Sequence, residues 1–430
     1  MKKLFLLAIV LFIITGCNEK NEETEGKEYK ELEGHWEGEI QIPNQPLNIL
    51  VDFQSGEEWT GTIAIPAQNV TDFSLTEIVA NEESVSFQMP LPGQSVQFDG
   101  KLEGEQLSGT FTQNGQTFPF SLRKGVKEDK GDDEGDFLSI ETSTGQLYGE
   151  LLLPKKKGPY PVALIIPGSG PTDRNGNSQG GAGNNNSLKL LAESLADKGI
   201  ASLRYDKRGA GKNINAVTDQ SEMRFEIFID DAKQWLETLE DDDRFTDIAV
   251  IGHSQGSLVG MMAAGAETTE AFISLAGAGQ TIDYVLEKQL GDSLPADLFE
   301  ESQTILGQMR EGKTVPDVSQ SLQGVFAPDV QSFLLSWMAY DPSEQLSELD
   351  VPTLIVNGTH DIQVPESEAQ LLKEAEPEAE LMLVEGMNHV LKEAPENRDE
   401  NLATYTNPDL PLADGLVEGI IDFLNQHGFH

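Results

Sequence analysis

Three side chains in this sequence have the types and local settings of a nucleophile, a general base and the acid that orients the base: Ser254, His389 and Asp361. A serine hydroxyl is a poor nucleophile at neutral pH, so it becomes informative only together with a base and a geometry that presents it. Ser254 sits in IAVIGHSQGSLVGMMAAGA, Ile248–Ala266. That stretch reads as an apolar strand, a Gly-x-Ser-x-Gly turn at Gly252–Gly256 and a helix of small residues. Such a strand-to-helix corner pushes the serine Oγ outward, and its glycines leave space where a Cβ would strike the neighbouring strand or helix. The Gln255 N–H, at the helix start, points to where an oxyanion would develop. A second Gly-x-Ser-x-Gly match, GNSQG at Gly176–Gly180, is preceded by PTDRN and followed by GAGNNN. Lacking a strand before it and a helix after it, that copy reads as a flexible polar loop.

Six histidines could supply the base. His35 lies in a β-rich region, His253 is expected to point away within the corner itself, and His427 and His430 are terminal. His360 stands beside an aspartate. His389, in VEGMNHV, directly follows the apolar run ELMLVEG, and a loop at the carboxyl end of a last strand can carry a base over the serine. Asp361, in TLIVNGTHDIQVP, lies just past the preceding strand and is the expected orienting acid; its plain alternative is a helix cap. Asp341, in AYDPSEQ, is the second candidate acid, although an Asp-Pro pair suits a helix cap better.

Stabilising a tetrahedral intermediate takes two N–H donors. Gln255 offers one, and the loop PGSGPTDRNGN, Pro167–Asn177, should offer the other, with Ser169 the choice and Gly170 close behind. Gly168 and Gly170 let the backbone approach a substrate. No Gly-Lys-Ser/Thr ending makes this a phosphate loop. Asp173, Arg174, Asp206 and Arg208 fall in polar turns beside this edge, either as ion pairs that brace the loop or as ordinary surface charges. No His/Cys/carboxylate spacing such as H-E-x-x-H is present, so neither a metal nor a cofactor is expected.

These residues need a scaffold, and the 430-residue length has room for two domains. From about residue 137 to 430, VALIIP, ASLRYD, IAVIG, AFISLAG, TLIVNG and ELMLVEG are near-continuous apolar runs, as parallel strands buried on both faces require. Helical stretches such as SLKLLAESLADKG separate them, and LSIET with QLYGELLLP reads as a leading antiparallel pair. This predicts an α/β fold, a doubly wound, mostly parallel sheet. Residues 280–346 interrupt the alternation with amphipathic helices, too long for a crossover, and are expected to form a helical lid. Residues 34–123 instead show short period-2 segments punctuated by Gly, Pro, Asn and Asp, which predicts a small all-β barrel or sandwich. Charged segments flank it: a tether at 17–33 and a linker at 124–136.

At the N-terminus, residues 1–16 carry two lysines and then an apolar run, Leu4–Thr15. Twelve helical residues span roughly 18 Å against a hydrocarbon core of about 30 Å, so this reads as an export signal and not a membrane span. Ile14-Thr15-Gly16-Cys17 resembles a bacterial lipobox. That resemblance implies cleavage before Cys17, a lipid on its sulfur and an exported protein held at the membrane of the cell envelope. Cys17 is the only cysteine, so no intrachain disulfide exists. Asp and Glu number 73 against 29 Lys and Arg, a formal net charge of −44. Such a surface repels phosphate backbones and argues against nucleic acid as a partner.

In combination, PGSGPTDRNGN, LRYDKRGAGK, IGHSQG, NGTHDIQVP and GMNHV resemble the bacterial α/β-hydrolase carboxylesterases, in the branch labelled serine aminopeptidase-like. The resemblance covers about residues 137–430, and the order Ser254, Asp361, His389 is the chain order of α/β-hydrolases. Pro167 stands where many relatives place the histidine of a His-Gly oxyanion motif. Residues 34–123 look like a lipocalin-like domain found ahead of some such hydrolases. The resemblance implies a serine carboxylesterase acting on small-molecule esters, and the modest lid and unremarkable apolar content point to short acyl chains. The alternatives are an aminopeptidase-like serine peptidase and a surface binding lipoprotein without catalysis.

Overall fold

Period-2 alternation between residues 34 and 124 builds an antiparallel sheet whose apolar face turns inward. In the computed structural model the described residues are 31–430, except 43–46, 57–58, 66–69, 82–83, 92–93, 114, 126–134, 179–182, 215, 218–219 and 266–267. Residues 1–16, Cys17, most of the tether and most of the 124–136 linker lie outside them. The described strands are β1 (Gly34–Ile40), β2 (Leu47–Gln54), β3 (Thr60–Ile65), β4 (Val70–Ser74), β5 (Thr76–Ala80), β6 (Val85–Leu91), β7 (Gln94–Glu103), β8 (Gln106–Gln113) and β9 (Gln116–Lys124). They pair in the order β4-β3-β2-β1-β9-β8-β7-β6-β5.

β2 and β6 are far apart in that order, yet Phe53 and Phe87 meet edge to face at 5.2 Å. The sheet therefore curls over its own apolar face. Phe98 stacks on Phe87 at 4.5 Å and meets Phe120 at 5.3 Å. With buried Trp36, these rings occupy the interior. The tether ends sooner than its charge suggested: Leu32 is buried in this core, and its carbonyl accepts from Trp36 Nε1 at 2.7 Å.

The second domain is an α/β-hydrolase sheet. Its strands are β10 (Asp136–Thr142), β11 (Gly145–Leu152), β12 (Tyr160–Ile166), β13 (Ala201–Tyr205), β14 (Phe245–His253), β15 (Ala271–Leu275), β16 (Thr353–Gly358) and β17 (Glu380–Val384), in the order β10-β11-β13-β12-β14-β15-β16-β17. β10 and β11 form the leading antiparallel pair, and β12 to β17 run parallel. The helices are α1 (Ser187–Asp197), α2 (Glu226–Glu240), α3 (Gln255–Ala264), α4 (Ile282–Ser293), α5 (Ala296–Arg310), α6 (Gln323–Phe326), α7 (Pro328–Met338), α8 (Pro342–Ser347), α9 (Glu366–Ala375), α10 (Arg398–Thr404) and α11 (Leu416–Gln426).

Successive strand residues serve opposite faces, which is why the runs are apolar throughout. Val162, Leu164 and Ile166 pack toward α2 and α3, whereas Ala163 and Ile165 pack toward α1 and α11. Helices α4 to α8 are inserted between β15 and β16. They carry a small core of their own, which includes Leu290, Ile305, Leu306, Met309 and Phe326.

The aromatic cluster accounts for the stability of the first domain. Phe98→Ala is expected to cost about 3–5 kcal/mol there. Hydrogen exchange on the full chain should then lose protection across β6 to β9 while β12 to β16 keep theirs.

Candidate active site

Ser254 occupies the corner between β14 and α3 with φ 54° and ψ −120°, a conformation that side-chain-bearing residues rarely adopt. Close backbone contact enforces it. A Cβ on Gly252 would lie 2.2 Å from the Gly256 carbonyl oxygen, and one on Gly256 would lie 2.3 Å from that of Ile166. The Ser254 N–H donates to the Leu275 carbonyl at 2.8 Å, tying the corner to the end of β15.

Three loops at the carboxyl ends of the strands converge on this corner. His389 Nε2 lies 3.1 Å from Ser254 Oγ, and His389 Nδ1 lies 2.8 Å from Asp361 Oδ2. With Nδ1–H donating to the carboxylate, the Nε2 lone pair faces the serine hydroxyl. The other Asp361 oxygen, Oδ1, accepts the N–H groups of Gln363 and Val364, both at 2.8 Å. Asp361 thus caps the turn before α9 and orients the imidazole at once. Asp341 has only the capping role, its carboxylate accepting from the first turn of α8. The His389 loop is itself held by buried Asn388, which donates to Asn401 Oδ1 and Thr404 Oγ1.

Contrary to the expectation from the sequence, His253 does not point away. Its Nε2 donates to the His389 carbonyl at 2.8 Å and the two rings lie 5.0 Å apart. Burial, and then the neighbouring His389, push its pKa down to about 4, so it stays uncharged beside the second imidazole near neutral pH.

Across the corner, the Pro167–Asn177 loop passes close to the serine, with a Cβ on Gly168 falling 3.4 Å from Ser254 Cβ. Thr172 fastens the loop by donating its hydroxyl to the Ser169 carbonyl at 2.7 Å. Among the described residues, neither the Ser169 N–H nor the Gln255 N–H has a protein acceptor, and both residues line the same cavity as Ser254.

Of the four charged residues beside this loop, Arg174, Asp206 and Arg208 form ion pairs, whereas Asp173 accepts hydrogen bonds from Asn175 and Asn177. Arg174 bridges Glu150 at 2.6 Å and Asp206 at 2.8 Å, Arg204 joins Glu150 at 2.9 Å, and Arg208 grips Asp231 through two nitrogens. Nothing local in the sequence singles out Glu150, Asp231 or, within LRYDKRGAGK, Arg204 for these pairs. Lys207 also escaped attention inside the quoted LRYDKRGAGK motif, yet its Nζ reaches Gly168 and Gln255. The second Gly-x-Ser-x-Gly copy is not a loose loop over its described part. Ser178 is buried and bridges Thr172 and Gly183, while Gln179 and Gly180 lie outside the described residues.

The cavity at Ser254 measures about 300 Å³. Leu258 of α3 forms one wall; Ile282, Val285 and Leu286 of α4 and Phe333 and Trp337 of α7 form the roof. Among the described residues, no charged side chain lines it. A serine hydroxyl facing an imidazole that a carboxylate holds, with two unengaged N–H groups beside the serine on one cavity, is an arrangement competent for acyl transfer.

Residues 178–395 match the family described as serine aminopeptidase, S33. Esterase EstD of Thermotoga maritima is 26% identical over 265 residues, which cover 60% of this chain and 61% of that protein. This chain therefore spans less than two thirds of that relative's length. Among solved structures, Est1E from Butyrivibrio proteoclasticus with bound ferulic acid is similar at 19% identity and a TM-score of 0.45, covering 67% of this chain and 98% of that one. The α/β hydrolase GrgF from Penicillium sp. sh18 is similar at 16% identity and a TM-score of 0.46, covering 68% and 98%.

The braced loop has one titratable weak point. Burial raises the Asp173 pKa to about 6, aided by the nearby Asp206 charge and opposed by hydrogen bonds from Asn177 and Asn175. A folded pKa above the unfolded value gives stability that is complete below the unfolded pKa of 3.8 and lost as pH rises through 6. Asp173→Asn removes that dependence. Between pH 4 and pH 7, urea unfolding should shift in the variant's favour by about 2 kcal/mol at most.

Proposed function

The chain belongs to the serine aminopeptidase, S33 family, and we propose that it is a serine carboxylesterase hydrolysing neutral esters through an acyl-enzyme on Ser254. The observation that carries this reading is the relay from Ser254 Oγ through His389 to Asp361, which opens onto an uncharged cavity. His389 Nε2 takes the hydroxyl proton as Oγ bonds to the ester carbonyl carbon. The carbonyl oxygen becomes an oxyanion facing the Ser169 and Gln255 amides. Collapse breaks the ester C–O bond, and the leaving alkoxide takes the proton from His389. Water, deprotonated by the same imidazole, then repeats the sequence and releases the acid.

Ser254, Ser169 and Gln255 line the cavity and His389 does not. The leaving group must depart toward His389, so the cavity takes the acyl side. Its volume reaches the lower end of ligand pockets, about 300 Å³, and accommodates butanoyl and hexanoyl groups as well as acetyl. The family description favours a second reading, an aminopeptidase-like serine peptidase. An α-ammonium in this cavity would lose its water without meeting a carboxylate, which weighs against that reading. Binding without catalysis has less support, because aromatic side chains fill the β-domain interior.

We also propose export and anchoring through a lipid on Cys17, on the strength of the ITGC sequence alone. In cells, Cys17→Ser should move the protein out of the detergent-extractable membrane fraction; an unchanged distribution would refute the anchor.

With p-nitrophenyl esters, kcat/KM should climb about fourfold per methylene from acetate to hexanoate, and Ser254→Ala should lower kcat at least about 10³-fold. Equal slow turnover by wild type and variant would end the esterase reading. Faster cleavage of aminoacyl-p-nitroanilides than of esters would replace it with the peptidase.

A further inference from the structure

Lys207 follows β13 and is 4% exposed. Its ammonium donates to the Gly168 carbonyl at 2.9 Å and to Gln255 Oε1 at 2.5 Å, and it stands 4.1 Å from the centre of the Phe228 ring. A buried lysine is costly unless a carboxylate answers it. The carboxylate that acts on it, Asp231 of α2, is already held by Arg208. Its remaining polar contacts, Gly168 and Gln255, are uncharged. Both of them belong to the walls that flank Ser254.

The Gly168 contact has a geometric consequence. The Gly168 carbonyl and the Ser169 N–H are two ends of one peptide plane, and in a trans peptide they point in opposite directions. A cation gripping the carbonyl from behind fixes the plane, turns the N–H the other way and polarises it as a donor. The Gln255 contact ties the same ammonium to the residue whose own N–H opens α3.

We propose that Lys207 is a positioning residue: it clamps the Ser169 peptide to the first turn of α3, sets the separation of the two oxyanion donors and places positive charge behind them. This rests on the esterase reading and its oxyanion assignment. Lys207 does not line the cavity, so it acts through Gly168 and Gln255 and not on substrate. Burial pushes its pKa down to about 7, with Asp231 pulling the other way, which puts the loss of its charge within reach of a pH profile. His253, already neutral above about pH 4, contributes nothing there.

Lys207→Met keeps the apolar stem against Phe228 and deletes both hydrogen bonds. With p-nitrophenyl butyrate, kcat should fall about 10- to 100-fold, less than for deleting an oxyanion donor outright, while KM stays within about twofold. Affinity for a trifluoromethyl ketone, whose adduct carries an oxyanion, should fall by the same factor, and affinity for an unreactive ether analogue should not. Wild-type kcat should also decline on the alkaline side of its profile, and the variant should lack that limb. Unchanged kcat, or parallel losses for ketone and ether accompanied by a lowered Tm, would overturn the proposal. If the Met variant does not fold, Phe228→Leu serves instead. It removes the ring facing the ammonium and should move the alkaline limb to lower pH, and an unmoved limb would count against us. A wild type without ester turnover would refute the esterase reading itself, whereas an active wild type indifferent to Lys207 would refute only the clamp.

Discussion

The α/β-hydrolase half of this protein depends on how closely two backbones can approach where β14 turns into α3. The Gly256 Cα sits so near the Ile166 carbonyl that not even a methyl group fits. That contact lets the corner close tightly enough to hold Ser254 in a strained conformation with its hydroxyl outward. The strain of such a residue, of order 1–3 kcal/mol, persists only because the surroundings over-determine it. The surroundings are the middle of the sheet: β12 and β15 flank β14 on either side. A serine mounted at the sheet's edge would have no such support.

What was legible in the sequence follows from this. A corner that excludes Cβ atoms must write glycine at fixed offsets, and a strand buried on both faces must write an unbroken apolar run. Both leave marks in a single chain, so the Ser254 corner, the buried strands themselves and the loops bearing Asp361 and His389 could be read directly. Contacts formed across the fold leave no such mark. His253 meets a carbonyl 136 residues away and Arg174 meets Asp206 32 residues away. Neither spacing has a periodicity, which is why His253 was expected to face elsewhere. Lys207 was hidden for a different reason: a lysine in a polar turn looks like every solvated lysine until its burial is known.

In the first domain the same distinction holds. Period-2 alternation announced strands and an apolar face. That Phe53 would meet Phe87 required the sheet to curl, and curvature is a property of the whole sheet and not of any segment. The charge of the tether was similarly misleading at its end, because Leu32 is a single apolar residue among acidic ones, and one residue makes no pattern.

Helices α4 to α7 pack around Leu306, Met309 and Phe326, while α8 buries Leu346 in the core of the main sheet. Ser254, His389 and Asp361 lie outside this insertion, on the sheet's own loops. The roof over Ser254 is thus inserted between two adjacent strands with an apolar centre of its own, and Phe333 and Trp337 tie it to the core of the sheet. On the esterase reading proposed above, substitutions there reshape which acyl groups are admitted while the Ser254, His389 and Asp361 geometry stays untouched. In evolutionary terms, that reading puts substrate range and catalytic competence on different parts of the chain, so that selection can alter the first without risking the second.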